Sequence, residues 1–224
     1  MKKSTRNPYC CFLLASCFFL SLFCAACAPK NTGWKSSPLQ IEVIATGSNA
    51  LITVFAPTET GRVELLRSSG FVGKGGVTGN KQEGDGKTPL GIYSIERTFG
   101  LLNSPNKNMP YTKIKNFDVW VDDPKSRYYN QWAYDNAPDK DWNSAEGLIN
   151  ETEAYKYAAI IEYNTKDTVK GAGSAIFIHC SKGVPTAGCV SLPEANMRKL
   201  LQLLVHGAKI AIARSPYEMR KITQ

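Results

Sequence analysis

From Gln40 onward, apolar and polar positions alternate in short runs, "QIEVIATG", "ALITVFAP", "RVELLR" and "GFVGKGGVTGN", each soon cut off by Gly, Pro, Asn or Ser. Alternation of period two rich in β-branched residues predicts strands, and the separators predict turns. Two further strands are predicted at "YAAIIEYN" and "SAIFIH", and "KIAIA" reads as a closing strand. The helical period is clear at one place, where Met197, Leu200, Leu201, Leu204 and Val205 fall on a single face. Ser191 and Glu194 fit a capping box there, with Pro193 in the first turn and Gly207 as C-cap. His206 would then end the helix, where a cation suits the dipole. Residues 101 to 156 are loop-rich and aromatic; the stretch from Tyr128 to Trp142 either lines a cleft or packs in the core. With no internal repeat and no strand-helix alternation, the pattern predicts one mostly-β domain over residues 39–224, a sandwich or open barrel of mixed sheets with a few helices.

Before that domain the pattern is of another kind. Lys2, Lys3 and Arg6 precede an uncharged, largely apolar run from Tyr9 to Ala26, the form of a secretory signal. In "LFCAACAPK", Ala25 and Ala26 stand before Cys27, which suits cleavage by signal peptidase or a lipobox with Cys27 as the lipidated residue. Cys24 holds the place where a lipobox normally has Leu, and the second match at Leu14-Ala15-Ser16-Cys17 lies too early in the run. The alternative is an uncleaved anchor just long enough to span a bilayer. The chain then divides into a signal at 1–26, a polar linker at 27–38 and the domain at 39–224. Each reading puts the domain outside the cytoplasm, and the lipid or anchor readings tether it to a membrane.

Charge and cysteine usage narrow the chemistry. The formal charge of +8 includes Lys2, Lys3 and Arg6, so it drops to +5 once the signal is removed. Basic and acidic residues are mixed along the chain rather than gathered into a patch, so no nucleic-acid partner is expected. Of seven cysteines, Cys10, Cys11, Cys17, Cys24 and Cys27 lie in or at the edge of the signal, leaving Cys180 and Cys189. A structural zinc wants about four N or S ligands, and without a C-x-x-C pair no metal site is expected.

Both remaining cysteines fall in "IFIHCSKGVPTAGCVSL". A disulfide between them is possible in an oxidising compartment. Strand alternation, however, sets Cys180 with Ile176 and Ile178, and His179 with Phe177 on the opposite face, so Cys180 is expected to be an inert buried thiol. Gly183, Pro185 and Gly188 permit a turn that returns Cys189 to His179. A neighbouring imidazole lowers a thiol pKa and prepares it for acyl transfer, so Cys189 is expected to be partly exposed and largely thiolate near neutral pH. Ala187 and Gly188 are small, so the backbone amides of Gly188 and Cys189 are free to face an oxyanion. On spacing alone, a tight turn with a buried cysteine fits as well. "GKGGVTG" has neither the Gly-Lys-Ser/Thr ending nor a following helix, and reads as a β-turn rather than a phosphate loop.

The block "PTAGCVSLPE" resembles the catalytic motif of the YkuD-type L,D-transpeptidases. "NKQEGDGKTPLGIYSI" is similar to the family's Thr-Pro-x-Gly-x-Tyr/Phe segment, and "WVDDPKSRYYNQW" and "YNTKDTVKGAGSAIFIHC" resemble a subgroup. The resemblance implies that Cys189 is the nucleophile, His179 its base, and Gly188 and Cys189 the oxyanion donors. It also implies an enzyme needing no metal or organic cofactor that acts on peptidoglycan stem peptides. A tetrapeptide would acylate the cysteine, D-Ala would leave, and an amine would resolve the thioester. Hydrolysis by water is the alternative within the fold; a non-catalytic wall-binding module or redox-responsive lipoprotein is the alternative outside it. Many members carry His before Gly-Cys and Arg two places after the cysteine, where this chain has Ala187 and Ser191. His179 is thereby left as the only base candidate.

Overall fold

The computed structural model describes residues 38–223, and the expected signal, most of the expected linker and Cys27 lie outside the described residues. The first three strands, β1 (Gln40–Thr46), β2 (Asn49–Thr58) and β3 (Gly61–Phe71), form an antiparallel meander, with β1 and β2 buried on both faces at their centres. Next come β4 (Val77–Thr78), β5 (Thr88–Pro89), β6 (Gly91–Ser94), β7 (Thr98–Gly100), β8 (Tyr111–Lys113), β9 (Asp118–Val121), β10 (Trp132–Tyr134) and β11 (Ala145–Gly147). Two 3-10 turns, Leu148–Asn150 and Ala154–Lys156, lead to β12 (Ala158–Ile160), β13 (Phe177–Cys180) and β14 (Val190–Leu192). Helix α1 (Glu194–Leu203), β15 (Lys209–Ala213) and helix α2 (Pro216–Thr223) complete the domain.

Ten strands make one curled mixed sheet in the order β6-β15-β1-β2-β3-β14-β13-β12-β7-β8. Three more, β10-β9-β11, form a small sheet from the aromatic stretch, and β4 pairs with β5. This is the mostly-β, open-barrel class expected from the alternation. The main core gathers Ile41, Val43, Ile52, Val54, Ile178 and Leu192 from the sheet with Met197, Leu200 and Leu201 of α1. Burial of such side chains contributes on the order of 2 kcal/mol each before chain entropy is counted.

Several local expectations are corrected. Ser191 lies in β14, held extended by its register with His179 on β13, and so does not cap α1. Pro193 is the N-cap instead and makes no side-chain cap bond. The helix stops at Leu203 with Leu204 as C-cap, so Gly207 sits in a later turn at φ +85° and the exposed His206 lies outside the helix. "KIAIA" does form a strand, but β15 is interior, parallel to β1 and antiparallel to β6, and α2 follows it. "GFVGKGGVTGN" is extended only at its ends, with a turn closed by Gly76 N–H donating to the Gly73 carbonyl.

Candidate active site

The site lies where the two central parallel strands meet. β13 and β14 pair Ile178 with Val190, His179 with Ser191 and Cys180 with Leu192. Residues paired across a ladder share a face, so Ser191 stands beside His179, and Cys189 sits one step before the strand on that same side. The other face carries Ile178 and Cys180 into the main core. The face assignment made from parity therefore holds: Cys180 is 1% exposed, and burial pushes its thiol up to about 11. The two cysteines are free thiols.

His179 and Cys189 line one cleft of about 450 Å³. Cys189 and Tyr155 reach this lining from a second core cluster, in which they pack with Phe99, Trp120 and Phe177. Their rings meet edge to face at centroid distances of 4.9 to 5.8 Å, and Tyr155 meets the His179 imidazole likewise at 5.6 Å. The imidazole Nδ1 lies 2.8 Å from the Cys180 carbonyl, which only accepts, so Nδ1 carries the ring proton and Nε2 is left as the basic nitrogen. Burial lowers the pKa of His179, so the ring is neutral.

The charge state expected for Cys189 is overturned. The residue is 9% exposed, and its Sγ donates to the Ala175 carbonyl at 3.1 Å while accepting from the Phe177 N–H at 3.3 Å. Burial, reinforced by the negative charge of Glu146, raises the thiol pKa well above its ordinary value. The resting pair is thus a neutral thiol and a neutral imidazole rather than an ion pair. The reason is visible in the surroundings: the thiol donates to a carbonyl and packs in a largely aromatic cluster.

The Cys189 loop is tied to segments distant in sequence. Thr88, from the Thr-Pro motif, donates its hydroxyl to the Gly188 carbonyl at 2.7 Å and accepts from the Gly73 N–H at 2.9 Å. Thr186 donates to the Cys189 carbonyl at 2.6 Å, and its Oγ1 accepts from the Gly188 N–H at 3.1 Å. The Gly188 amide is therefore already engaged within the loop. Lys81 is buried along its length, with Nζ bonded at 2.7 Å to both Asp85 Oδ1 and the Gln82 carbonyl. Its stem lies against Gly173 and Gly188, where added β-carbons would come within 2.7 and 3.8 Å of it. Asp85 thus acts behind the cleft wall, and Tyr93 is turned away to the Leu90 carbonyl.

Sequence reasoning missed Glu146 and Tyr155. The Tyr155 hydroxyl donates to Glu146 Oε1 at 2.5 Å, and burial raises the Glu146 carboxyl to about 7. No spacing motif marks this pair; topology alone brings β11 against the turn before β12. None of the residues from Tyr128 to Trp142 lines the cleft, which decides for their packing role. Two buried polar atoms, Ser191 Oγ and Asp122 Oδ1, have no partner among the described residues, and both residues line the cleft.

A sequence model of the YkuD family, the L,D-transpeptidase catalytic domain, matches residues 41–212. The chain belongs to this family. The match spans the sheet from β1 to β15, so the cleft of this L,D-transpeptidase domain lies wholly inside the matched segment. Membership carries an L,D-transpeptidase-type activity directed at peptidoglycan. A comparison with curated proteins gave no match.

Proposed function

We propose that this L,D-transpeptidase domain transfers a peptidoglycan tetrapeptide stem through a thioester on Cys189 to an amine acceptor. The observation that carries the reading is that Cys189 and His179 fall on the same side of the β13–β14 ladder and line one cleft. Nε2 of His179, its tautomer set by the Cys180 carbonyl, takes the thiol proton as Sγ attacks the stem carbonyl next to the terminal D-Ala. Filling the cleft displaces water, so the proton moves between two neutral partners rather than forming a long-lived exposed ion pair. The Cys189 amide meets the developing oxyanion, and the Gly188 amide joins it by exchanging its Thr186 partner. His179 then returns the proton to the leaving D-Ala amine, and the acceptor amine breaks the thioester. The open hydrogen-bonding capacity of Ser191 and Asp122 and the mixed charges of Lys74, Lys182 and Glu151 suit a zwitterionic peptide.

The domain acts outside the cytoplasm, delivered by the signal at 1–26 and held at the membrane through Cys27. The test is incubation of the protein with purified tetrapeptide muropeptides, followed by mass spectrometry. D-Ala release, a thioester adduct and cross-linked product are expected. Cys189→Ala abolishes all three, and His179→Ala slows release by about 10²-fold or more. D-Ala release without cross-linked product would make the enzyme an L,D-carboxypeptidase, and unchanged turnover in Cys189→Ala would overturn the mechanism.

A further inference from the structure

Apart from His179 and Asp122, two of the motifs in the sequence, "WVDDPKSRYYNQW" and "YNTKDTVKGAGSAIFIHC", have had no chemical part so far. They meet behind the nucleophile. Four non-glycine residues among those described have left-handed backbones, Phe117, Asn130, Asn164 and Ala175. The last three belong to a single network. Asn130 is 2% exposed, and its Oδ1 accepts from Trp120 Nε1 at 2.9 Å and from the Ala175 N–H at 3.1 Å. Its Nδ2 donates to the carbonyls of Tyr163 and Asn164 at 3.1 and 2.7 Å, which uses every donor and acceptor site of the amide. Asn164 in turn donates to the carbonyls of Val169 and Gly173, both at 2.9 Å.

The network ends on sulfur. Ala175 stands at φ +53°, a conformation that costs a residue with a β-carbon on the order of 1 to 2 kcal/mol and persists only when the surroundings impose it. Its N–H is held by Asn130, and its carbonyl is the acceptor of the Cys189 thiol. We propose that Asn130 is a positioning residue for the nucleophile: by clamping Ala175 in its left-handed conformation it holds the Ala175 carbonyl on the Cys189 sulfur and keeps the thiol protonated until substrate fills the cleft. The direction follows from the hydrogen bond. A carbonyl accepts from S–H and repels S⁻, so while the clamp is closed the neutral thiol is favoured. When Ala175 relaxes, the carbonyl leaves and the thiolate retains the Phe177 N–H.

The inference rests on Cys189 as the reactive thiol, but its test needs no turnover. The rate of Cys189 alkylation by iodoacetamide is followed against pH by peptide mapping. Asn130→Gly admits the positive φ without strain and removes the clamp. Its alkylation near neutral pH should rise about fivefold over wild type, the worth of one ordinary hydrogen bond, with the midpoint moved to lower pH. Asn130→Asp keeps an oxygen for Trp120 and Ala175 while losing the donors to the Tyr163 and Asn164 carbonyls and adding an acid, so its midpoint should not fall below that of wild type. The groups that face the sulfur from the surrounding elements, His179, Tyr155, Glu146, Glu151, Asp122 and Lys81, are the same in each protein. An unchanged profile in Asn130→Gly, or an equal downward shift in Asn130→Asp, overturns the proposal. Should Asn130→Gly fail to fold, amide hydrogen exchange in the wild type decides: strong protection of the Ala175 N–H is required, and exchange as fast as an open loop overturns the clamp. Loss of transpeptidation with these alkylation results intact would count against the proposed reaction and leave the clamp standing.

Discussion

At the residue scale, burial shifts His179, Cys189 and Glu146 toward their neutral forms. The carboxyl of Glu146 shows this most clearly, because burial raises it from 4.5 to about 7 even though the Tyr155 hydroxyl pulls the other way. A carboxyl whose pKa rises on folding contributes stability that is fully present below about pH 4.5 and is lost as pH climbs through 7. His179 works in the opposite sense: its pKa is lowered by burial, so its contribution is present above about pH 6.5 and lost as pH falls. Glu146→Gln retains an acceptor for Tyr155 and removes the ionisation, while the His179 contribution is common to both proteins. Between about pH 5 and pH 8 the wild type should therefore lose stability relative to the variant, by at most a few kcal/mol. Thermal melts of the two proteins across that range measure the difference, and parallel curves would exclude a buried titrating Glu146.

At the element scale, two Ser-x-x-Glu segments compete for the same signature, "SLPE" at 191–194 and "SPYE" at 215–218. Strand register removes the first, since Ser191 is held extended opposite His179. The second is a working N-terminus: Ser215 Oγ accepts from the Glu218 N–H at 3.1 Å, Pro216 opens α2, and Glu218 Oε2 accepts from the Arg214 N–H at 2.6 Å. Ser215→Ala should cost about 1 kcal/mol in denaturant unfolding. If Ser191→Ala cost as much through fraying of α1, the strand assignment of Ser191 would be wrong. Much of the fold was legible at this scale. Short alternating or apolar runs bounded by turn residues located β1, β2, β3, β13 and β15, the last two buried on both faces, and "YAAIIEYN" held only the short β12. The short strands β7 to β11 were not legible: with three or four residues each, they carry too little period to show, and their aromatic residues pack around loops. The sequence pattern also extended the α1 face to Leu204 and Val205, which are buried but lie beyond the helix, where burial continues after the hydrogen-bond ladder stops.

At the scale of the whole molecule, the proposed nucleophile and base could be picked out together because one short segment carries both, His179 on β13 and Cys189 one step before β14. Their environment was not, because Lys81, Thr88, Asn130, Glu146 and Tyr155 come from separate parts of the chain and meet only through the curled sheet. The charge state of Cys189 failed in prediction for the same reason: burial in the aromatic cluster and the nearby Glu146 raise its thiol, and spacing reveals neither. Delivery to the envelope poses a separate problem. The described elements lie within residues 38–223, and among the described residues no helix is long and apolar enough to cross a membrane. The proposed attachment is a lipid on Cys27, which follows Ala25 and Ala26. Metabolic labelling with a palmitate analogue should mark the wild type and spare Cys27→Ser, and the variant should pass from the membrane fraction to the soluble one with its cleft intact. Iodoacetamide labelling of Cys189 at the wild-type rate in that soluble protein would show that the lipid positions the domain without shaping its site. Equal palmitate labelling of both proteins would instead place the lipid on another cysteine, and membrane retention of an unlabelled Cys27→Ser would mean that the run from Tyr9 to Ala26 stays attached as an anchor.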